Sequence, residues 1–282
     1  MPGRIYPASD LPGLFKQEEF MMQADYRNWM PKGMAASFIG AAAGSWTAAG
    51  ALHSLMPEGK GKKVLTAGAA ASGVLFTGVS VWSCLMYRAF DYNGKRQMSR
   101  QIIEGIAEYV DLPEGGTCLD VGCGSGALAI AVAKKNPHAE VTGIDRWGKE
   151  YASFSRALCE NNALAEGVLN VSFLQGDALH LDFEDETFDA VVSNYVYHNI
   201  PSKDRQKILL ETLRTLKKGG TFAIHDIFSR GKYGDMQAFM KKLKEMGYEK
   251  ADLICTTDGK WIGKREAVWM GLSGSALLTG RK

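Results

Sequence analysis

The run Leu119-Asp120-Val121-Gly122-Cys123-Gly124-Ser125-Gly126 puts three glycines at alternate positions between an apolar stretch and the helix-like segment Ala127-Leu128-Ala129-Ile130-Ala131-Val132-Ala133. It reads as a buried strand that breaks into a glycine-rich turn and opens onto a helix. Such a turn lets a nucleotide-like ligand lie against bare backbone at the C-terminal edge of a parallel sheet. Asp145 closes the next apolar stretch, where a carboxylate can accept both hydroxyls of a ribose. Further on, Ser193-Asn194-Tyr195-Val196-Tyr197-His198-Asn199 follows another apolar run. Tyr197 and His198 are candidates to touch a second reactant: a neutral imidazole, with an ordinary pKa of about 6.5, can take a proton from an attacking hydroxyl or thiol. The competing role for His198 is to orient the loop. His225 and Asp226 form a second candidate pair at the end of a later apolar run.

These residues need a frame, and the order of elements supplies one. A helix is expected over residues 99–110, then a strand over 117–121, a helix from 127 to about 136, and a strand over 139–145. A helix over about 149–160 and a strand over 171–174 follow, then a strand over 188–194 and a helix over 203–216 that closes at Gly219-Gly220. Strand 221–227, helix 235–246 and strands 251–255 and 275–279 complete the pattern. This is βα repetition with buried parallel strands, finished by antiparallel elements.

Over residues 100–282 the chain resembles a class I S-adenosylmethionine-dependent methyltransferase. Four ordered matches carry the resemblance: 119–126 as the glycine motif, 141–145 as the acidic strand end, Gly176-Asp177-Ala178, and Leu216-Lys217-Lys218-Gly219-Gly220. The terminal Leu277-Leu278-Thr279-Gly280-Arg281-Lys282 resembles the last strand of the branch acting on small molecules. The resemblance implies a Rossmann-like seven-stranded sheet and S-adenosylmethionine as cofactor. It implies that the turn from Gly122 through Cys123 and Gly124 to Gly126 wraps the amino acid and sulfonium end. By the same resemblance Asp120 orients the cofactor's amino group, Asp145 holds the ribose, and Asp177 accepts from the adenine amine with the Ala178 backbone beside it. Arg146 or Trp147 would cover the adenine face, and Asn194 opens the loop beneath the cofactor. No fixed catalytic triad is expected, because alignment of the nucleophile and exclusion of water are most of what such a transfer asks.

The chain has 282 residues, room for one full α/β domain and something smaller. A net charge of +2, without a basic-aromatic stripe or zinc-finger spacing, argues against a nucleic-acid partner. Five cysteines without paired spacing fit a reducing compartment, and no CxxC or HExxH pattern offers a metal site.

The first third is different. Residues 34–57 and 64–87 contain no Asp, Glu, Lys or Arg, and either stretch exceeds the roughly 20 helical residues needed to cross a bilayer. With the polar connector 57–63 they predict a two-helix transmembrane hairpin over 33–90. An amphipathic segment within 1–32 precedes it and a linker at 91–99 follows it; a soluble buried helical pair is the alternative. Ala36, Gly40, Gly44 and Ala48 form a stripe of small residues suited to close packing in a bilayer, between these helices or between copies of the chain. Trp46 and Trp82 sit inside the stretches rather than at their ends, unlike an aromatic belt. The bias of Arg27, Lys32, Arg88, Lys95, Arg96 and Arg100 over Lys60, Lys62 and Lys63 places both termini, and the catalytic domain, in the cytoplasm.

A hairpin in the bilayer implies an acceptor that partitions there, a lipid or other apolar small molecule. Trp261, Ile262, Trp269, Met270, Phe228, Tyr233 and the segment 14–29 are candidates to wall its pocket. The competing readings are methylation of a soluble metabolite with the hairpin as anchor only, and a non-catalytic, cofactor-binding membrane scaffold.

Overall fold

The computed structural model describes residues 23–30, 32–148 and 153–282. A helical hairpin comes first, α1 (Lys32–Leu55) and α2 (Lys60–Phe90). Ala42 and Ala49 of α1 and Gly73 and Ser80 of α2 are buried. Trp46 lies on Gly73, where an added Cβ would come within 2.8 Å of the indole, and its Nε1 donates to Thr77 Oγ1 at 3.1 Å. Gly40 and Gly44 are not part of this contact: an added Cβ at either would meet nothing within 4 Å. Among the described residues only α2 is long and apolar enough to cross a membrane. The expectation of two such spans is corrected for α1, half of whose 24 residues are Ala or Gly, which carry little hydrocarbon.

The chain then enters an α/β unit: α3 (Met98–Ala107), β1 (Thr117–Val121), α4 (Ala127–Lys135), β2 (Glu140–Asp145), α5 (Arg156–Ala165), β3 (Val171–Gln175) and β4 (Phe188–Asn194). A 3-10 turn (Tyr197–Asn199) leads to α6 (Arg205–Arg214), β5 (Leu216–Ile227), α7 (Arg230–Tyr233), α8 (Met236–Glu245), β6 (Lys250–Cys255), α9 (Lys264–Trp269) and β7 (Ser275–Arg281). The seven strands form one sheet in the order β3-β2-β1-β4-β5-β7-β6. The first five strands pair in parallel, and β7 runs antiparallel between β5 and β6. Strand order reverses between β1 and β4, so the crevice outside their carboxyl ends is where this topology binds ligands. The near-continuous apolar character of β1 and β4 follows from burial on both faces.

Two boundaries differ from expectation for local reasons. Strand β5 starts at Leu216 rather than Thr221: Phe188 pairs Leu216, Ala190 pairs Thr221, and the register shift between them absorbs the Lys217-to-Gly220 turn. The described part of the helix expected over 149–160 begins at Arg156, because Ser155 caps it by accepting from the Leu158 amide at 3.2 Å; residues 149–152 lie outside the described residues. Of the amphipathic segment, 14–22 also lies outside them. Residues 23–30 are irregular rather than helical and pack on the domain: Tyr26 is buried against Tyr92, ring centroids 4.5 Å apart, and its hydroxyl donates to Glu166 at 3.2 Å.

The base of the hairpin shares the domain's core. Met86, Ala89 and Phe90 of α2 are buried in the same cluster as Ile102, Trp261 and Met270, and Trp82 Nε1 donates to the Trp269 carbonyl at 3.0 Å. Arg96 ties the connector to this corner, donating to both Glu266 oxygens at 2.7 and 2.9 Å, to the Trp261 carbonyl at 2.8 Å and to Gln101 at 2.6 Å. Arg96→Met should therefore lower unfolding stability by about 1–3 kcal/mol. Arg96→Lys should recover less than half of that loss, because a single ammonium cannot span the fork. Chemical denaturation followed by circular dichroism checks both.

Candidate active site

The glycine turn is shaped by its neighbours as much as by any ligand. Gly122, Gly124 and Gly126 all have positive φ, at 76°, 56° and 83°. A Cβ on Gly122 would run into the Val196 side chain, and one on Gly126 would lie 2.9 Å from Phe173 and 3.2 Å from Cys159. At Gly124 the nearest side chain, Phe154, would be 3.8 Å away. Two of the three glycines are thus required by packing, and at Gly124 an added Cβ would make only ordinary contact. The amides of Gly122 and Cys123 donate to the Ile144 carbonyl at 2.8 and 2.9 Å, which locks the turn to the end of β2.

Asp145, at that end, receives the Gly124 amide at 2.9 Å on one carboxylate oxygen and the Trp147 amide at 2.8 Å on the other. Each oxygen keeps a further acceptor site. Trp147 folds back so that its Nε1 donates to the Gly124 carbonyl at 3.0 Å. Arg146 stays on the exposed side, with its carbonyl accepting from Gln175 at 3.4 Å. Gly176 donates to the Asp145 carbonyl at 3.0 Å, bringing the half-buried Asp177 and Ala178 beside the same strand end; Asp177 caps its own turn by accepting from the Leu179 amide at 2.9 Å.

Asp120 is the electrostatic anomaly. It is 1% exposed, and its carboxylate meets no counter-charge and no side-chain partner among the described residues; the Ala129 amide is the donor directed at it. Burial, reinforced by the charge of Asp145 and partly offset by the Ala129 amide, pushes its pKa up to about 8. A buried carboxylate without a counter-charge is costly.

Across the rim, the ends of β4 and β5 interlock. His225 Nδ1 meets Asn194 Oδ1 at 2.9 Å and its Nε2 meets Thr256 Oγ1 at 2.9 Å. Burial drives the pKa of His225 down to about 3, against the pull of Asp226, so the ring is neutral and both nitrogens are occupied. His225 is architectural. His198 differs: its Nδ1 lies 2.6 Å from Asp226 Oδ1, its amide donates to Asp226 Oδ2 at 3.2 Å, and its side chain is 13% exposed while Asp226 is fully buried. A carboxylate on Nδ1 fixes the tautomer that leaves Nε2 as the acceptor.

Tyr197, grouped with His198 in the sequence, is corrected. It is fully buried, and its hydroxyl pairs with Thr212 Oγ1 of α6 at 2.8 Å. The 3-10 turn sends Tyr197 inward and His198 to the rim. Tyr195, not singled out by its sequence, stands at the rim instead: its ring is 4.6 Å from His225 and 5.9 Å from His198, and its hydroxyl meets Ser275 Oγ at 2.8 Å. Its φ of 56°, rare for an aromatic residue, left no mark in the sequence. Of the expected pocket walls, Trp261, Ile262, Met270, Phe228 and Tyr233 are buried and Trp269 is exposed.

The Asp120 carboxylate sets a pH dependence of stability. With a folded pKa near 8 and an unfolded value near 3.8, the folded chain binds more protons between those values, so stability falls as pH rises from about 4 to 8. Asp120→Asn should flatten that part of the profile, read by denaturant titration at pH 5, 6.5 and 8; an unchanged slope would mean that Asp120 is solvated or paired.

A methyltransferase-domain family matches residues 112–270, more than half of the chain. Methyltransferase GfsG of Streptomyces halstedii is 31% identical over 141 residues, 50% of this chain and 48% of that protein. Sterol 4-C-methyltransferase strm-1 of Caenorhabditis elegans is 31% identical over 51% of this chain and 41% of its own length. A demethylmenaquinone methyltransferase of Bacillus cytotoxicus is 34% identical over 39% and 44%. The chain spans about half the length of these curated relatives, or less. A geranyl diphosphate methyltransferase solved with GPP and sinefungin shares the fold, with a TM-score of 0.50 and 12% identity over 68% of this chain and 85% of that one. The glycine turn, the acidic strand ends and the seven-stranded sheet with its antiparallel β7 therefore have one origin: the chain belongs to the methyltransferase-domain family, with the Rossmann-like fold that binds S-adenosylmethionine.

Proposed function

We propose that the chain transfers a methyl group from S-adenosylmethionine to an apolar small-molecule acceptor at a membrane. The observation that carries this reading is the buried carboxylate of Asp120, which has no counter-charge among the described residues, beside a glycine turn whose three glycines all take positive φ. A ligand with a cationic amino group answers that carboxylate, and one with a ribose answers the free acceptor sites of Asp145. Bound here, the cofactor supplies a methyl group already made electrophilic by its sulfonium. Asp120 holds the amino end, the 122–126 turn packs along the amino acid portion, Asp145 grips the sugar, and Asp177 with the Ala178 backbone meets the base. Arg146 and Asn194 border the two ends of this path.

On the acceptor side His198 takes the proton of a hydroxyl or thiol at Nε2, while Asp226 holds the ring in that tautomer and steadies the imidazolium that results. Asp226 is a positioning residue and His198 the catalytic one. Two relatives support an apolar acceptor, since by their names they methylate a sterol and a demethylmenaquinone. Support for the membrane is α2, whose 18-residue apolar window is only 11% buried; a core helix of a soluble protein is mostly covered. The excess of basic residues on the side of the termini favours a cytoplasmic catalytic domain.

Radiolabelled methyl should pass from S-adenosylmethionine into a lipid extract of the native host. Label appearing only in the soluble extract would shift the reading to a soluble metabolite, and label in neither to a cofactor-binding scaffold. Asp145→Ala should weaken S-adenosylmethionine binding by roughly tenfold or more, the loss of a charge-assisted pair of hydrogen bonds, measured by calorimetry. His198→Ala should lower kcat by about 10²–10⁴ with cofactor affinity unchanged. Asp226→Asn should fall between His198→Ala and wild type.

A further inference from the structure

The outside of the hairpin is more apolar than its inside. Small and hydroxylated residues fill the seam, whereas Ile39, Val64, Leu65, Val74, Leu75 and Val81 are each more than half exposed. That inversion suits a hydrocarbon solvent, in which small residues pack helices together and large ones face lipid. Toward the domain the exposed apolar face of α2 narrows to Leu85, which is 46% exposed. Below Trp82, α2 turns into the protein core through Ser83, Met86, Ala89 and Phe90. From Val64 to Val81 the helix rises about 27 Å, close to the thickness of a bilayer's hydrocarbon core. Trp82 lies at the end of α2 where one face of the helix enters the protein core.

At that level a second element meets α2. Trp82 Nε1 donates to the carbonyl of Trp269 at 3.0 Å, and Trp269 ends the short helix α9. On α9 the inner residues Ala267 and Met270 are buried, while Val268 is 73% and Trp269 41% exposed. The helix is held rigidly: Glu266 accepts from the Gly263 amide at 2.9 Å and pairs with Arg96. Lys264 and Arg265 at its start and Arg88 on α2 are exposed and make no ion pair with any described residue. Apolar tips beside free cations, at the level of an aromatic pair, are the chemistry of an anionic lipid headgroup layer.

The geometry points to α9 as an interfacial membrane contact: Val268 and Trp269 enter the headgroup–acyl boundary of the leaflet that receives α2. This inference rests on the membrane reading given above and adds a place and an orientation to it. Just before α9, Trp261 is buried with its ring 5.2 Å from His225, and Tyr195 and His198 follow along the same rim. Seating α9 in the headgroups thus holds the acceptor side of the site against the leaflet. An apolar acceptor then reaches the rim without crossing bulk water.

The test uses the full chain in vesicles of phosphatidylcholine with a minor share of phosphatidylglycerol. A bimane probe is attached at Val268→Cys, Val74→Cys or Lys207→Cys, each in a background carrying Cys84→Ser and Cys255→Ser, because the other three cysteines are buried. Lipids carrying a nitroxide at a shallow or a deep position serve as quenchers. The deep quencher should act on the Val74 probe, the shallow one on the Val268 probe, and neither on Lys207. In parallel, Val268→Asp should raise KM for a vesicle-borne acceptor by about tenfold, as expected when an interfacial contact is lost. S-adenosylmethionine affinity and turnover of the same acceptor in detergent should stay as in wild type. Quenching at Val74 but not at Val268, or an unchanged KM, overturns the α9 contact and leaves the membrane hairpin standing. No quenching at either position overturns the membrane reading as well.

Discussion

One carboxylate organises this site. Asp120 stands on a buried strand with no counter-charge among the described residues, and burial raises its pKa to about 8 despite the Ala129 amide. Folding tolerates such a group only because the rest of the sheet over-determines it: Cys118, Leu119 and Val121 on β1 are completely buried, and the strand pairs on both sides. A cationic ligand removes the penalty by restoring a counter-charge. The free protein is therefore held in a state that favours such a ligand, and the glycine turn above Asp120 gives it backbone to lie along.

The two halves of the sheet divide the work. On the proposed reading strands β1 to β3 carry the donor side, where the Gly124 amide bonds the Asp145 carboxylate and the Gly176 amide bonds the Asp145 carbonyl. On the same reading β4 and β5 carry the acceptor side, where His225 is neutralised by burial to tie β4 to the Thr256 turn, and His198 is held by Asp226. Val196 joins the halves, since it occupies the space that a Cβ on Gly122 would need. The base of α2 shares its core with residues of both halves, Cys118, Cys123 and Phe173 on one and Ala190 and Ala223 on the other, so the hairpin is packed into the domain as a whole.

The donor half was legible in the sequence because its signals are local. An apolar strand, alternating glycines and an acidic strand end are each written within a few residues, and β1 and β4 span the residues expected. The acceptor half was not, because its signals are long-range. Nothing adjacent to His198 reveals that Asp226, 28 residues away, fixes its tautomer. Nor does the order Tyr195, Tyr197, His198 show that a left-handed residue and a 3-10 turn send Tyr197 to Thr212 and leave Tyr195 at the rim. The early start of β5 was hidden by a register shift, which composition does not encode. In the hairpin, absence of charge was read as two spans, although the alanine- and glycine-rich α1 lacks the hydrocarbon that α2 carries.

The central claim, that a buried carboxylate awaits the cofactor's cationic end, is tested most directly by calorimetric titration of S-adenosylmethionine at pH 7 in buffers of different ionisation enthalpy. Ionisation of Asp120 on binding predicts release of close to one proton per bound cofactor, and no such release from Asp120→Asn. Tight binding to the wild-type protein with no net proton release would contradict the account.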